Sequence, residues 1–113
     1  MTSFDDRERS YETRFAREQE FEFKVQARAA KLVGQWAAET MGLSGQEAEA
    51  YAREVVKADV AELGSEDVVR KLHADFQARG VDCSEHRIRL RMDEDLIRAR
   101  EQLAKEIGGQ ASA

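Results

Sequence analysis

Three side chains, Cys83, His73 and His86, have residue types from which metal or acid–base sites are often built. Cys83 and His86 form a C-x-x-H pair, but a structural zinc site usually needs four ligands in two such pairs, and the second pair is missing. His73 lies near Asp75 and beside an apolar stripe. A half-buried histidine with a purely structural role would occupy the same kind of position. Cys83 precedes a helix start, where a thiolate is favoured, but no base is placed beside it. We therefore predict no metal site and no catalytic residue.

A strip of arginines gives no stronger signal for phosphate binding. Five arginines between residues 85 and 101 are matched by five acidic residues, so a salt-bridged surface is the better prediction: Arg87, Arg89, Arg91, Arg98 and Arg100 against Glu85, Asp93, Glu94, Asp95 and Glu101. The chain has no Walker-type glycine loop, nucleophile elbow or His-containing triad signature. Its net charge of -5 makes it a poor partner for nucleic acid. We predict a protein that is not an enzyme and binds no cofactor or nucleic acid.

Composition indicates one helical domain. The 113 residues include no proline, and 36% are charged and 42% hydrophobic, as in soluble helical proteins. The lone Cys83 excludes an internal disulfide and suits a reducing compartment. Neither a signal peptide nor an apolar run long enough to span a bilayer is evident. We expect a cytoplasmic protein that does not insert into a membrane.

Four amphipathic segments predict an all-α protein, a four-helix bundle at residues 21–107. The first helix runs from about residue 5 to 41 and the last ends near 107. Serine caps and glycine stops set the other limits: Ser44, Ser65 and Ser84 as caps, Gly42, Gly64 and Gly80 as stops. Short loops favour antiparallel neighbours. Residues 108–113, GGQASA, are predicted to be a disordered tail.

Apolar residues at three- and four-residue steps predict the buried faces. In the first helix they are Phe21, Val25, Ala29, Leu32, Val33, Trp36, Ala37 and Met41, widened by Phe23, Ala27 and Ala30; in the second, Ala48, Tyr51, Ala52, Val55, Val56, Val60 and Leu63; in the third, Val68, Val69, Leu72 and Phe76; in the fourth, Ile88, Met92, Leu96, Ala99, Leu103 and Ile107.

Residues 1–20 lack such a face and are predicted to project from the bundle as a mobile arm. Ten of the sixteen residues from Asp5 to Glu20 are charged, and opposite charges stand at helical spacing: Asp5 with Arg9, Arg14 with Glu18, Glu20 with Lys24. The large apolar residues, Phe4, Tyr11 and Phe15, form one narrow line. This line is too thin for a core, but it is typical of a segment that fills pockets on another protein. A solvated surface helix is the alternative interpretation.

The chain resembles the small inhibitor (zeta) subunit of the alphaproteobacterial F-type ATP synthase over most of residues 4–76. The resemblance rests on Phe4-Asp5-Asp6-Arg7-Glu8, Glu12, Phe15, Phe23-Lys24, Ala27-Arg28, Gly34, Trp36-Ala37-Ala38, Gly42-Leu43, Gly45, Tyr51-Ala52, Val55-Val56, Gly64, Glu66-Asp67-Val68 and Arg70-Lys71. The last helix matches by pattern more than by residue. Ala29 and Ala30 stand where the family often has Arg-Asn, so contacts near the middle of the first helix need not follow the family.

The resemblance implies a four-helix inhibitor of ATP hydrolysis whose N-terminal segment enters the catalytic head, contacts the central stalk and blocks rotation in the hydrolysis direction. By position, the inhibitory residues would be Phe4, Asp5, Asp6, Arg7, Glu8, Glu12 and Phe15, with Arg9, Tyr11 and Arg14 beside them. Such a protein would be a monomer when free and peripheral at the inner membrane when bound. Two other functions remain open: a general helical adaptor, and a bundle that binds a small ligand or nucleotide.

Overall fold

The computed structural model describes residues 3–61 and 65–112, which form four helices: α1 (Ser3–Thr40), α2 (Gly45–Ala61), α3 (Ser65–Ala78) and α4 (Glu85–Ser112). Side chains are described for residues 10–58 and 66–108. The predicted all-α fold is confirmed, because helices are the only regular secondary structure in the described ranges. Several predicted features lie outside the described residues or side chains: Val60 and Leu63 in the core, the Gly64 stop and the Ser65 cap.

Glycines end α1 and α3 as predicted. Gly42 and Gly80 have φ values of 81° and 72°, in the left-handed region that favours glycine. At the end of α1, the Leu43 amide donates to the Ala38 carbonyl at 2.9 Å and the Gly42 amide donates to Glu39 at 3.0 Å. This is the Schellman pattern, in which the last carbonyls of a helix find donors. The same two bonds recur around Gly80, so both stops follow from the local sequence.

Helix α4 is longer than predicted. Its start is correct, because the Ser84 hydroxyl accepts a hydrogen bond from the Arg87 amide at 3.1 Å, as an N-cap does. Its end at residue 107 is wrong, because the backbone stays helical to Ser112. Gly108 is not among the glycines with positive φ, so it continues the helix. A glycine ends a helix only where it adopts the left-handed conformation. The mobility of residues 108–113 stays a prediction.

The bundle is closed in chain order, since α1 contacts α2, α2 contacts α3, α3 contacts α4 and α4 returns to α1. The main core lies where all four helices meet and contains Val33, Ala37, Ala38, Tyr51, Val55, Val68, Val69, Leu72, Phe76 and Ile88. A second core joins only α1 and α4, through Val25, Ala29, Ala99 and Leu103. The molecule therefore tapers along α1 from four helices to two.

The taper follows from the unequal lengths of the helices. α1 has 38 residues and α3 only 14, or about 57 Å and about 21 Å at 1.5 Å per residue. The overall extents are 65 × 31 × 22 Å and the radius of gyration is 17.9 Å. A compact domain of this length would have a radius near 13 Å. The excess reflects the part of α1 that extends beyond its neighbours.

Helices α1 and α2 approach closely at Gly34. A Cβ at this position would stand 2.8 Å from the Ala52 Cα, so only glycine fits without a shift of the backbone. Nearby, Trp36 is half-buried and packs edge-on against Phe76, with ring centroids 5.6 Å apart and planes at 88°. Arg91 of α4 lies over the Trp36 ring, with its Cζ 5.6 Å from the centroid. Trp36 thus joins three helices.

Two residues predicted to be buried are instead exposed. Phe23 is 63% exposed. It precedes Val25 by two residues, about 200° round the helix, and so lies away from the side on which Val25 and Ala29 pack against α4. Ile107 is 48% exposed and lies one turn beyond Leu103, the last buried residue of α4 among the described side chains. The helical period was correct in both segments, but the width and the length of the packed stripes were overestimated.

One acidic side chain, Asp95, is fully buried among the described residues. Two arginines of its own helix neutralise it: Arg98 Nη1 donates at 2.7 Å and Arg91 Nε at 3.1 Å. Both arginines remain partly exposed. Since Arg91 also lies over Trp36, which packs against the main core, this charge cluster adjoins that core.

Candidate protein-binding site

The N-terminal half of α1 is the candidate protein-binding site, and residues 3–20 are the part of the predicted arm whose backbone is described. Its backbone is helical from Ser3. Every side chain from residue 10 to residue 20 is exposed, including Tyr11 at 68% and Phe15 at 54%. The first half-buried residue is Phe21 and the first buried one is Val25. The remaining predicted site residues, Phe4, Asp5, Asp6, Arg7, Glu8 and Arg9, have side chains outside the described part of the structure.

The aromatic residues of the arm continue the packed face of α1. Tyr11 and Phe15 precede Val25 and Ala29 by two heptads. A straight helix drifts about 20° per heptad, so each aromatic residue lies about 40° from its buried counterpart. The buried pair packs against α4 in the second core. The two rings are therefore an extension of the α1–α4 seam past the point where α4 covers it.

The described charges of the arm, from residue 10 to residue 20, are mostly unpaired. Glu20 pairs with Lys24 at 3.5 Å, as predicted. The predicted pair of Arg14 with Glu18 is not formed, and Glu12 has no ion-pair partner either among the side chains described here. Arg14, Glu18 and Glu12 would therefore lose no ion pair with another described side chain on meeting a partner. Exposed pairs contribute little to stability in any case.

At the base of the arm, α4 is tied to α1 by ion pairs that the sequence did not reveal. Arg100 donates two hydrogen bonds to the Glu22 carboxylate. Arg28 donates to Gln102 at 2.8 Å and to Glu106 at 2.9 Å. The hydrogen bond from Arg100 lowers the pKa of Glu22. These bridges lie beside the second core, whose buried residues pack α1 against α4 at the base of the arm.

The residues first considered for chemistry are not assembled into a reactive site. His73 Nδ1 lies 3.7 Å from the Glu85 carboxylate, and His86 is exposed. Burial raises the pKa of the Cys83 thiol, which opposes thiolate formation. Within residues 3–61 and 65–112, no three His, Cys, Asp or Glu side chains are grouped as metal ligands.

Four of the five arginines in the strip are salt-bridged as predicted, and Arg87 has no ion pair among the described residues. Arg89 bonds Glu66 and Glu85, Arg91 and Arg98 bond Asp95, and Arg100 bonds Glu22. A cavity of ≈ 260 Å³ between α1, α3 and α4 is lined by Arg89 as its basic residue. Because Arg89 is already held by two carboxylates, this cavity offers a phosphate group no uncommitted positive charge.

Another hydrogen-bonded cluster joins α2 to α3. The Tyr51 hydroxyl donates to Asp75 at 2.6 Å, and Lys71 bonds Asp75 and Glu54. Burial, together with the bond to Asp75, raises the pKa of Tyr51 well above its usual range. Because each of these side chains is hydrogen-bonded to a neighbour, we interpret the cluster as structural.

These features define a class: a small helical bundle whose accessible rings and uncommitted charges lie on a projecting helix, as expected of a protein that acts by binding another protein. The sequence matches the family model of ATPase inhibitor subunit zeta over residues 1–102, and the chain belongs to this family. Membership in an inhibitor family indicates a non-catalytic role.

A solved structure supports the fold. A solution NMR structure of a protein 45% identical to this chain superposes with a TM-score of 0.65, covering 74% of this chain and 95% of that one. No curated protein matches the sequence significantly. Among the described residues, none of the helices combines the length and the apolarity needed to cross a membrane.

Proposed function

We propose that this protein inhibits ATP hydrolysis by the F-type ATP synthase by inserting its arm into the catalytic head. The arm would lie between catalytic and non-catalytic subunits, contact the central stalk and block rotation in the hydrolysis direction, while synthesis is spared. The exposure of Tyr11 and Phe15 on a helix that has left its own bundle supports this proposal most directly.

The dimensions of the molecule would let the arm enter an opening that is too narrow for the bundle. The helix from residue 3 to 20 would be about 27 Å long and about 10–12 Å wide with its side chains. The extents of the whole molecule across its long axis are 31 and 22 Å. An opening that admits one helix would therefore exclude the bundle, which would set the depth of insertion.

The energetics are also favourable. An isolated helix of this length is marginal in water because nucleation is costly. The arm continues α1, so nucleation is already provided by the packed part of the helix. Binding would then order side chains more than backbone, which reduces the entropic penalty of association.

Within the arm, the two kinds of residue would have different roles. Phe4, Tyr11 and Phe15 would be aromatic anchors in pockets, as Trp and Tyr side chains often are at binding hot spots. Asp5, Asp6, Arg7, Glu8, Arg9, Glu12 and Arg14 would set register and speed approach through charge pairs. The protein would work at the membrane only through its contact with the ATP synthase.

The decisive experiment compares the full chain with a variant that lacks residues 1–19, in a hydrolysis assay with the matching ATPase. We expect the full chain to inhibit and the truncated chain to be inactive, with similar thermal midpoints because the deleted side chains described are exposed. Equal inhibition by both proteins would show that the arm is not the inhibitory element. Absence of inhibition by either would reject the function.

A further inference from the structure

A groove at the base of the arm contains two exposed apolar side chains that have no role in the proposed insertion of the arm. Phe23 and Ile107 are 63% and 48% exposed and line the same groove of ≈ 540 Å³ between α1, α2 and α4. We infer that this groove is a second contact surface, which binds an apolar side chain flanked by acidic groups on the outside of the same ATPase head. The inference rests on the proposed function.

The apolar residues of the groove come from all three helices. Ala27 of α1, Val56 of α2 and Leu103 of α4 line it together with Phe23 and Ile107. Val56 and Ala27 are half-buried and Leu103 is buried, so they form a base while the two exposed side chains form the walls. A large apolar side chain has room there, and burying it would remove the exposed surface of both walls from water.

The charges around the groove select an acidic partner. Its lining includes Lys24, Arg28 and Lys31 but only one acidic residue, Glu106. Lys24 is paired with Glu20 and Arg28 with Glu106, so Lys31 is the cation of the lining that remains available to a partner. Lys31 has no ion-pair partner among the described residues. Opposite charges at the edge of a contact guide association and disfavour wrong partners.

The position of the groove close to the arm indicates that both would contact the same partner. Phe23 follows Phe15 by eight residues, about 12 Å along the helix and about 80° round it. A head that encloses the arm would have its outer surface at this level, where the bundle is too wide to follow. Because the arm would hold the groove close to that surface, even a weak second contact would slow release.

The test uses full-length variants with the arm unchanged. Phe23→Ala combined with Ile107→Ala removes the apolar walls, and Lys31→Glu reverses the unpaired charge. Ile97→Ala is the matched control, because Ile97 is 62% exposed and does not line the groove. Inhibition of the matching ATPase and the rate at which activity returns on dilution are measured, with thermal midpoints on the same samples.

We expect both groove variants to raise the half-inhibitory concentration at least fivefold and to speed recovery. The Ile97→Ala control should stay within twofold of the unaltered protein, and all midpoints should agree within a few degrees. If the groove variants inhibit like the unaltered protein while deletion of residues 1–19 abolishes inhibition, the groove is overturned and the proposed function stands. If the unaltered protein does not inhibit, both fall.

Discussion

Replacing Phe15 by alanine separates the arm's contribution to binding from its contribution to the fold. The ring is 54% exposed and belongs to neither of the two cores. Alanine has a higher helix propensity than phenylalanine, by about 0.5 kcal/mol. The thermal midpoint of Phe15→Ala should therefore be unchanged or slightly higher.

The expected loss of inhibition can be estimated from the exposed surface. Full burial of a phenylalanine contributes about 1.5–3 kcal/mol. With 54% of Phe15 still exposed, burial in a partner's pocket would contribute about 1–1.5 kcal/mol. Truncation of a well-packed anchor costs about 2 kcal/mol. At about 1.4 kcal/mol for each factor of ten, the inhibition constant should rise about 5- to 30-fold.

The assay is a titration of ATP hydrolysis with the unaltered protein and Phe15→Ala, accompanied by thermal unfolding followed by circular dichroism. Ile97→Ala again serves as the control, because it also truncates an exposed apolar side chain but lies on α4. A midpoint lowered by several degrees would mean that Phe15 is packed inside its own bundle. An unchanged inhibition constant would mean that the ring is not an anchor.

Three further predictions concern the bundle. Gly34→Ala should lower the free energy of unfolding measured in urea. Overpacking against a backbone atom of α2 only 2.8 Å away costs about 1–3 kcal/mol, which exceeds the gain of about 1 kcal/mol in helix propensity. A more stable variant would contradict the close approach of α1 and α2. Removing Arg91 and Arg98 together should lower the free energy of unfolding by about 3 kcal/mol or more, because Asp95 is left buried and charged. Asp95→Ala should lower it less, because both arginines reach water. Equal losses of stability would refute this order. The ion pair of Glu22 lowers the pKa of that carboxyl, so its stabilising effect should be present above the ordinary value of 4.5 and lost as pH falls through the lowered pKa. In acid unfolding, Glu22→Gln should therefore lose less stability between pH 6 and pH 3 than the unaltered protein. Identical pH profiles of the two proteins would contradict the pair.

The sequence determined those features that depend on neighbours along the chain. Gly42 and Gly80 end helices because their local conformation allows a positive φ, and Ser84 caps α4 because its hydroxyl reaches an amide three residues later. Helical periodicity located the buried stripes, since i, i+3 and i+4 share a face. The same period predicted that Tyr11 and Phe15 share a line on a projecting segment, and both side chains are exposed.

Only the tertiary structure decided which side chains meet across helices. Glu22 pairs with Arg100 of α4 and not within α1, and Asp95 is buried although it belongs to a charge-balanced strip. Phe23 and Ile107, predicted to be inside, are exposed. The physical reason is that cross-helix contacts depend on the rotation and axial offset of one helix against another. Residue spacing describes each helix about its own axis and contains neither quantity.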